Sequence, residues 1–199
     1  VNDATDEPHQ IASRPPQERA DAARNRQRVL SAAAGLFAEH GVDGVTMDAV
    51  AQAAGVGKGT VFRRFGDKSG LVAALLDERE RALQDAVLTG PPPLGPGAAD
   101  AERVLAFLDA YVDYLAEHLE LVRLSETAAP GARYRIGSYR FWHRHLTLHC
   151  GAAADPEHLA HALLAAVDAD LNFTLLREAD YSWERLREGV RDLAEHALR

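Results

Sequence analysis

The chain of 199 residues is 47% apolar and 26% charged, carries a formal net charge of −8 and holds one cysteine, Cys150. That length is enough to bury a core in one or two domains, and that composition excludes a wholly disordered chain. A lone cysteine excludes an intrachain disulfide and points to a reducing, cytoplasmic setting, and no apolar run approaches the ~18–20 residues that span a bilayer, so no membrane partner is expected.

The first residues, Val1 to Pro8, are acidic and lack an apolar centre, which is not the pattern of a signal peptide. Pro8, Pro15 and Pro16 stand among polar residues, so residues 1–21 are expected to be a flexible arm. From Ala22 the pattern turns helical. Val29, Ala33, Leu36 and Phe37 make one apolar stripe that stops at His40-Gly41. Gly41 to Gly44 reads as a turn, and Thr46 sits where an N-cap belongs, with Asp48 in the first turn of a second helix. Met47, Val50, Ala51 and Ala54 form that helix's buried face. Gly55-Val56-Gly57 is a tight turn into a third helix over Lys58–Phe65. Val61 and Phe65 face inward there, leaving Lys58, Thr60, Arg63 and Arg64 outside. Two short helices hinged on glycine, the second of them cationic, make a helix-turn-helix whose second helix fits a DNA major groove.

Charge follows the same division. Residues 14–68 hold nine Arg/Lys against six Asp/Glu, whereas residues 69–199 hold thirteen against twenty-one. A basic head on an acidic body suits DNA binding, the body limiting non-specific association.

Asp67-Lys68-Ser69 starts a fourth helix with Leu71, Val72, Leu75 and Leu76 inward, and Pro91 to Gly97 is a stiff linker or exposed loop. Val104, Leu108, Tyr111, Val112, Leu115 and Leu119 make a long amphipathic stripe; a shorter helical piece covers about 120–129 and breaks at Pro130-Gly131. Another helix carries Tyr139, Trp142, Leu146 and His149. Asp155-Pro156 opens the next, which is expected to run to about Glu178. In the last helix Trp183, Leu186, Val190, Leu193 and Ala197 recur at spacings of three and four. That is a seam for another helix, as from a second copy of the chain. The expected fold class is all-α: a three-helix head over 22–68 and a larger helical ligand-binding and dimerisation domain over 69–199, about nine helices in all.

Residues 24–76 resemble the DNA-binding head of the TetR family of bacterial transcription regulators. The likeness lies in Arg28 to Gly41, Thr46 to Phe65 and Asp67 to Leu71. The resemblance implies a nine- or ten-helix homodimer that represses transcription from a palindromic operator in double-stranded DNA until a small-molecule effector releases it. Carried over residue by residue, Thr46 would donate to a phosphate, and Lys58, Thr60, Arg63 and Arg64 would read bases or grip phosphates. Lys68 would contact the backbone, and Gly59 and Phe62 belong to the same contact set. In two places the chain departs from the family's habit. Gly57 stands where Ser is common, removing a capping oxygen, and Phe62 stands where Tyr is frequent, removing a hydroxyl that often reaches phosphate. An activator, a ligand-independent regulator and a helical protein-interaction module are alternatives.

Other signals are weaker. Gly55 to Thr60 superficially resembles a nucleotide loop, but the first glycine of that pattern is replaced by Gln52 and Gly59 follows Lys58. No nucleophile–base arrangement suggests an enzyme, and no cofactor is implied. His143, His145, His149 and Cys150, with His158 and His161, pair at helical spacing, yet no carboxylate or cysteine completes a metal set, and surface or core histidines are the expected reading. Phe107, Tyr111, Tyr114, Trp142, His145, Asp170 and Phe173 are candidate ligand-binding residues, since an effector site needs an apolar cavity with a few polar anchors. Asp170, Asn172 and Thr174 interrupt an apolar helix and serve either the dimer interface or a ligand.

Overall fold

The computed structural model describes residues 16–199. Most of the expected arm lies outside that range, and by Pro16 the chain is already helical, six residues ahead of the expected start at Ala22. Among the described residues there are ten helical segments, counting one single turn, and no strand. They form two compact units, one ending at Arg64 and one spanning Phe65–Arg199.

In the first unit α1 (Pro16–His40) packs on α2 (Met47–Ala53), and α3 runs over Lys58–Phe65. Val29, Leu30, Ala33 and Phe37 of α1, Met47, Val50 and Ala51 of α2 and Val61 of α3 are buried. The Thr46 hydroxyl accepts the Ala49 N–H at 3.2 Å and caps α2. The hinge is closed by the backbone alone. Gly55, at φ +63°, lets its own N–H reach the Gln52 carbonyl while the Val56 N–H reaches that of Ala51, the Schellman closure.

The second unit comprises α4 (Lys68–Thr89), α5 (Asp100–Glu126), the single turn α6 (Ala132–Arg135), α7 (Gly137–His149), α8 (Pro156–Ala166), α9 (Ala169–Glu178) and α10 (Trp183–Ala197). Asp67 caps α4 by accepting the Gly70 N–H at 2.8 Å. Position 70 must be glycine, because a Cβ there would stand 1.9 Å from the Phe65 carbonyl oxygen. The expected loop at Pro91 to Gly97 is held by Arg103, whose guanidinium donates to the Val87 and Leu94 carbonyls.

α5 is the central post, touching α4, α6, α7, α9 and α10. It does not end near residue 120 as expected. It bends at His118 (φ −134°, ψ 17°) and continues to Glu126. The seam on α10 also resolves differently: Leu186 and Val190 are buried inside the unit while Leu193 is exposed, and Arg187 and Arg191 pair with Asp109 and Asp113 of α5.

The single helix expected over 156–178 is two. Within 156–178 an 18-residue window reaches a mean hydropathy of 1.4, long and apolar enough to cross a membrane by length and composition alone, which inspection for apolar runs does not reveal. The chain breaks at Val167-Asp168 instead. The Asp168 carboxylate caps α9 through the Leu171 N–H at 2.8 Å, and the Asn172 side-chain amide donates to the Ala166 carbonyl at the end of α8 and to the Asp168 carbonyl at the start of α9. Asn172 is thus a structural brace.

Candidate nucleic-acid interface and interior cavity

The outward face of α3 carries Lys58, Gly59, Phe62, Arg63 and Arg64, all exposed, with Thr60 half-buried at its edge. Val61 anchors the opposite face with no exposure at all. Lys58 pairs with Asp48 of α2 at 2.7 Å, and its ammonium lies 5.6 Å from the Phe62 ring centre. Both partners of the ion pair are well exposed, so phosphate can displace the carboxylate at little cost. Arg64 turns back to donate to the Ala22 carbonyl of α1 at 2.6 Å, whereas Arg63 points from the same turn. Exposed Thr46 stands at the start of α2, and half-buried Lys68 opens α4 in the other unit. Of the seven residues from Lys58 to Arg64, only Val61 is buried. Five donors or apolar contacts on one short helix can read base edges and clamp phosphates together.

The second unit encloses a cavity between α4, α5, α6 and α7. Leu76 and Glu80 line it from α4, Tyr111, Val122, Ser125 and Glu126 from α5, Arg133 from α6, and Ser138, Tyr139 and Trp142 from α7. It holds about 290 Å³ between side chains, counting its mouth. Its enclosed part admits no more than about one water. Phe107 backs it, with ring centres 5.3 Å from Trp142 and 5.8 Å from Tyr111.

Two carboxylates face this space and differ in their partners. Glu126 meets Arg133 at 2.5 Å, and Arg133 also meets Asp168 at 3.1 Å and donates to the Leu164 carbonyl at 2.6 Å. Glu80 has no basic partner within ion-pair distance among the described residues. Burial pushes its carboxyl above the usual range, the Ser138 hydroxyl pulls the other way, and Asp77 and Glu126 add to the upward push. Burial likewise raises the Tyr111 and Tyr114 phenols, which stay protonated. The Tyr114 hydroxyl lies near Glu80 but outside hydrogen-bonding geometry.

Of the residues named as ligand candidates, Tyr111 and Trp142 line the cavity. Phe107, Tyr114 and His145 stand behind it, His145 with its ring 5.3 Å from Phe107 and its Nε2 unpartnered. Asp170 and Phe173 do not join them. Asp170 is exposed and paired with Arg123 at 2.7 Å, and Phe173 lies beneath Arg123 and Arg177. The break at Asp168 gives α9 its own helical phase, so spacing carried through from α8 misplaces both. Glu80, Glu126 and Arg133 escape a reading by residue type. Glu80 sits in a charged run from Asp77 to Arg81 that looks solvated, and Arg133 follows a Pro-Gly turn.

The histidines separate into two groups. His145 and His149 adjoin each other, and His149 Nδ1 meets Asp100 at 2.6 Å. The His143 and His161 rings lie 4.0 Å apart at a tilt of 32°, with His161 Nδ1 bonded to the Tyr139 hydroxyl. Among the described residues no three ligating side chains converge. Burial pushes the Cys150 thiol up to about 11.

Comparison with known proteins agrees with this geometry. Residues 29–75 match the family model of bacterial regulatory proteins, tetR family. An HTH-type transcriptional regulator of Staphylococcus aureus (strain USA300) is 47% identical over 53 residues, 27% of this chain and 29% of that relative, so the match spans under a third of its length. A transcriptional regulator from Saccharomonospora viridis, solved in complex with choline, superposes with a TM-score of 0.69 at 21% identity over 87% of this chain and 97% of that one. A TetR-family regulator from Pectobacterium atrosepticum gives 0.67 at 22% over 92% and 95%. The likeness to these structures establishes a shared all-α fold along nearly the whole chain. Over residues 29–75, the head of the chain is similar to that of the tetR family of bacterial regulatory proteins.

Proposed function

We propose that this protein is a dimeric, sequence-specific DNA-binding regulator of transcription, a repressor released from a palindromic operator by a small molecule. The observation that carries the reading is α3: a short cationic helix, anchored by Val61, that presents Lys58, Phe62 and Arg63 outward behind a backbone-closed turn. Arg63 is the better candidate for a base contact, worth roughly 1–3 kcal/mol of discrimination. Arg64, tied to the Ala22 carbonyl, suits a phosphate contact that also fixes α3 on α1. Thr46 and Lys68 supply further phosphate contacts.

Dimerisation uses the apolar surface left on the last helices, where Leu171 of α9 is 47% and Leu193 of α10 is 45% exposed. Two copies related by a two-fold axis would make a four-helix bundle there, and the symmetry calls for a palindromic site read in successive major grooves. The cavity between α4 and α7 is the effector site. The choline bound by the Saccharomonospora viridis regulator supports a ligand-responsive body. Release then requires the effector to favour a dimer conformer whose heads no longer match the groove spacing.

Selection from a random duplex library at near-physiological salt tests this. Enrichment of a two-fold-symmetric site, lost in an Arg63→Ala/Arg64→Ala variant, is the expected outcome. A folded dimer that enriches nothing, or a variant that binds as the parent does, would refute it. An activator or ligand-independent regulator would bind the same site and be told apart by transcription from it with and without effector.

A further inference from the structure

We propose that the interior cavity binds a small organic monocation, an amine or quaternary ammonium, with Glu80 as its counter-ion and the Tyr111 and Trp142 rings as its walls. The proposal rests on reading this cavity as the effector site and names the class of ligand it takes.

Charge decides the class. Glu126 and Asp168 already share Arg133, so the one cation at the cavity is held by two carboxylates and a carbonyl and is not open to an anion. What remains is Glu80, drawn into the wall with the Ser138 hydroxyl beside it and no basic side chain to answer it among the described residues. A carboxylate drawn from water without a counter-ion is costly even with a hydroxyl beside it, and an entering cation recovers part of that cost. An anion would face Glu80 with no free cation to answer it, and a neutral ligand would leave Glu80 as it stands.

The walls suit the same ligand. Tyr111 and Trp142 meet at 73° with centres 6.1 Å apart, making a corner rather than a stack, and such a corner offers ring π density to an alkylammonium. Phe107 backs both rings. The enclosed space is smaller than a trimethylammonium group, so entry moves at least one wall. One of those walls is α4, which carries Leu76 and Glu80. Binding and a shift of α4 against α5 and α7 are then one event.

The full chain carries two tryptophans, so Trp183→Phe leaves Trp142 as the only emitter. In that background Trp142 emission is titrated with tetramethylammonium, choline and butylammonium, and with 3,3-dimethylbutan-1-ol, the neutral isostere of choline. At least one cation should bind, and choline should exceed its isostere by about ten-fold or more. Glu80→Gln should erase that preference while leaving the weak neutral binding unchanged. No binding by any cation up to millimolar concentration, or equal binding of choline and its isostere, overturns the proposal. So does a folded Glu80→Gln variant that keeps the preference. The isostere comparison needs no variant at position 80, so it stands even if that variant fails to fold. A preparation that selects an operator but shows no charge preference sinks this inference alone. One that binds cations but selects no operator sinks the regulator reading instead.

Discussion

Replacing Arg133 with Met removes a guanidinium only 7% exposed from a carboxylate only 8% exposed. Glu126 would keep just the Ala169 N–H at 3.1 Å, and the Leu164 carbonyl would lose its donor. Stranding one partner of a buried pair costs about 3–5 kcal/mol, partly offset here by the apolar bulk of Met. For a chain of this length that is a fall in Tm of roughly 6–20 °C, read by near-ultraviolet circular dichroism. Glu126→Gln keeps an acceptor for Ala169 while removing the charge, so Arg133→Met should cost far less in that background, with a coupling of about 2 kcal/mol or more. Protonation supplies an independent check. Burial already raises the Glu126 carboxyl despite Arg133, and without Arg133 it rises further. A raised folded-state pKa gives stability that is present at low pH and lost as pH climbs through it, so the variant's deficit should shrink on acidification. Equal costs in both backgrounds, flat with pH, would show that Arg133 acts as a filler and that the charge argument fails.

Gly70→Ala should destabilise the chain by about 2 kcal/mol or more, because the new Cβ cannot fit 1.9 Å from the Phe65 carbonyl oxygen. A melting temperature within a degree of the parent would refute that close approach. Burial first, then His149 and Arg103, lower His145 from 6.5 to about 4. Its neutral form therefore contributes stability above pH 6.5 that is lost as pH falls toward 4, about 3 kcal/mol in all. Denaturant titrations from pH 7.5 to 4 should show that loss, and His145→Phe should flatten it; an unchanged acid slope in the variant would assign it to other groups.

The head is legible residue by residue because each of its devices is local. Thr46 caps the helix it precedes, Gly55 closes the turn it occupies, and the inward face of α2 follows from a spacing of three and four. The body is legible only where apolar period alone decides, as in α4 and the first turns of α5. It misleads where the chain changes phase without a Gly or Pro to mark it. Asp168 looks like a polar intrusion in a long helix, yet it ends one helix and caps the next, and that displaces Asp170 and Phe173 from the cavity. His118 bends α5 where a break is expected. Charged residues mislead most: Glu80, Glu126 and Arg133 sit in stretches whose composition reads as solvated surface. Their burial depends on partners far along the chain: Glu80 on the Ser138 hydroxyl, Glu126 on the Ala169 N–H 43 residues away, and Arg133 on the Leu164 carbonyl 31 residues away.

The turn between α2 and α3 is closed by Gly55 and Val56 amides on Gln52 and Ala51 carbonyls, and α3 is anchored by Val61 on its inner side. Lys58, Gly59, Phe62 and Arg63 take no part in either device. The scaffold and the reading surface are therefore largely separable: Gly59, Phe62 and Arg63 can be exchanged without touching the turn closure, the Val61 anchor or the Arg64 tie to α1. A lineage built on this head can drift from one target sequence to another through intermediates that all remain folded, and an engineer can graft a new set of contacts onto it by the same freedom.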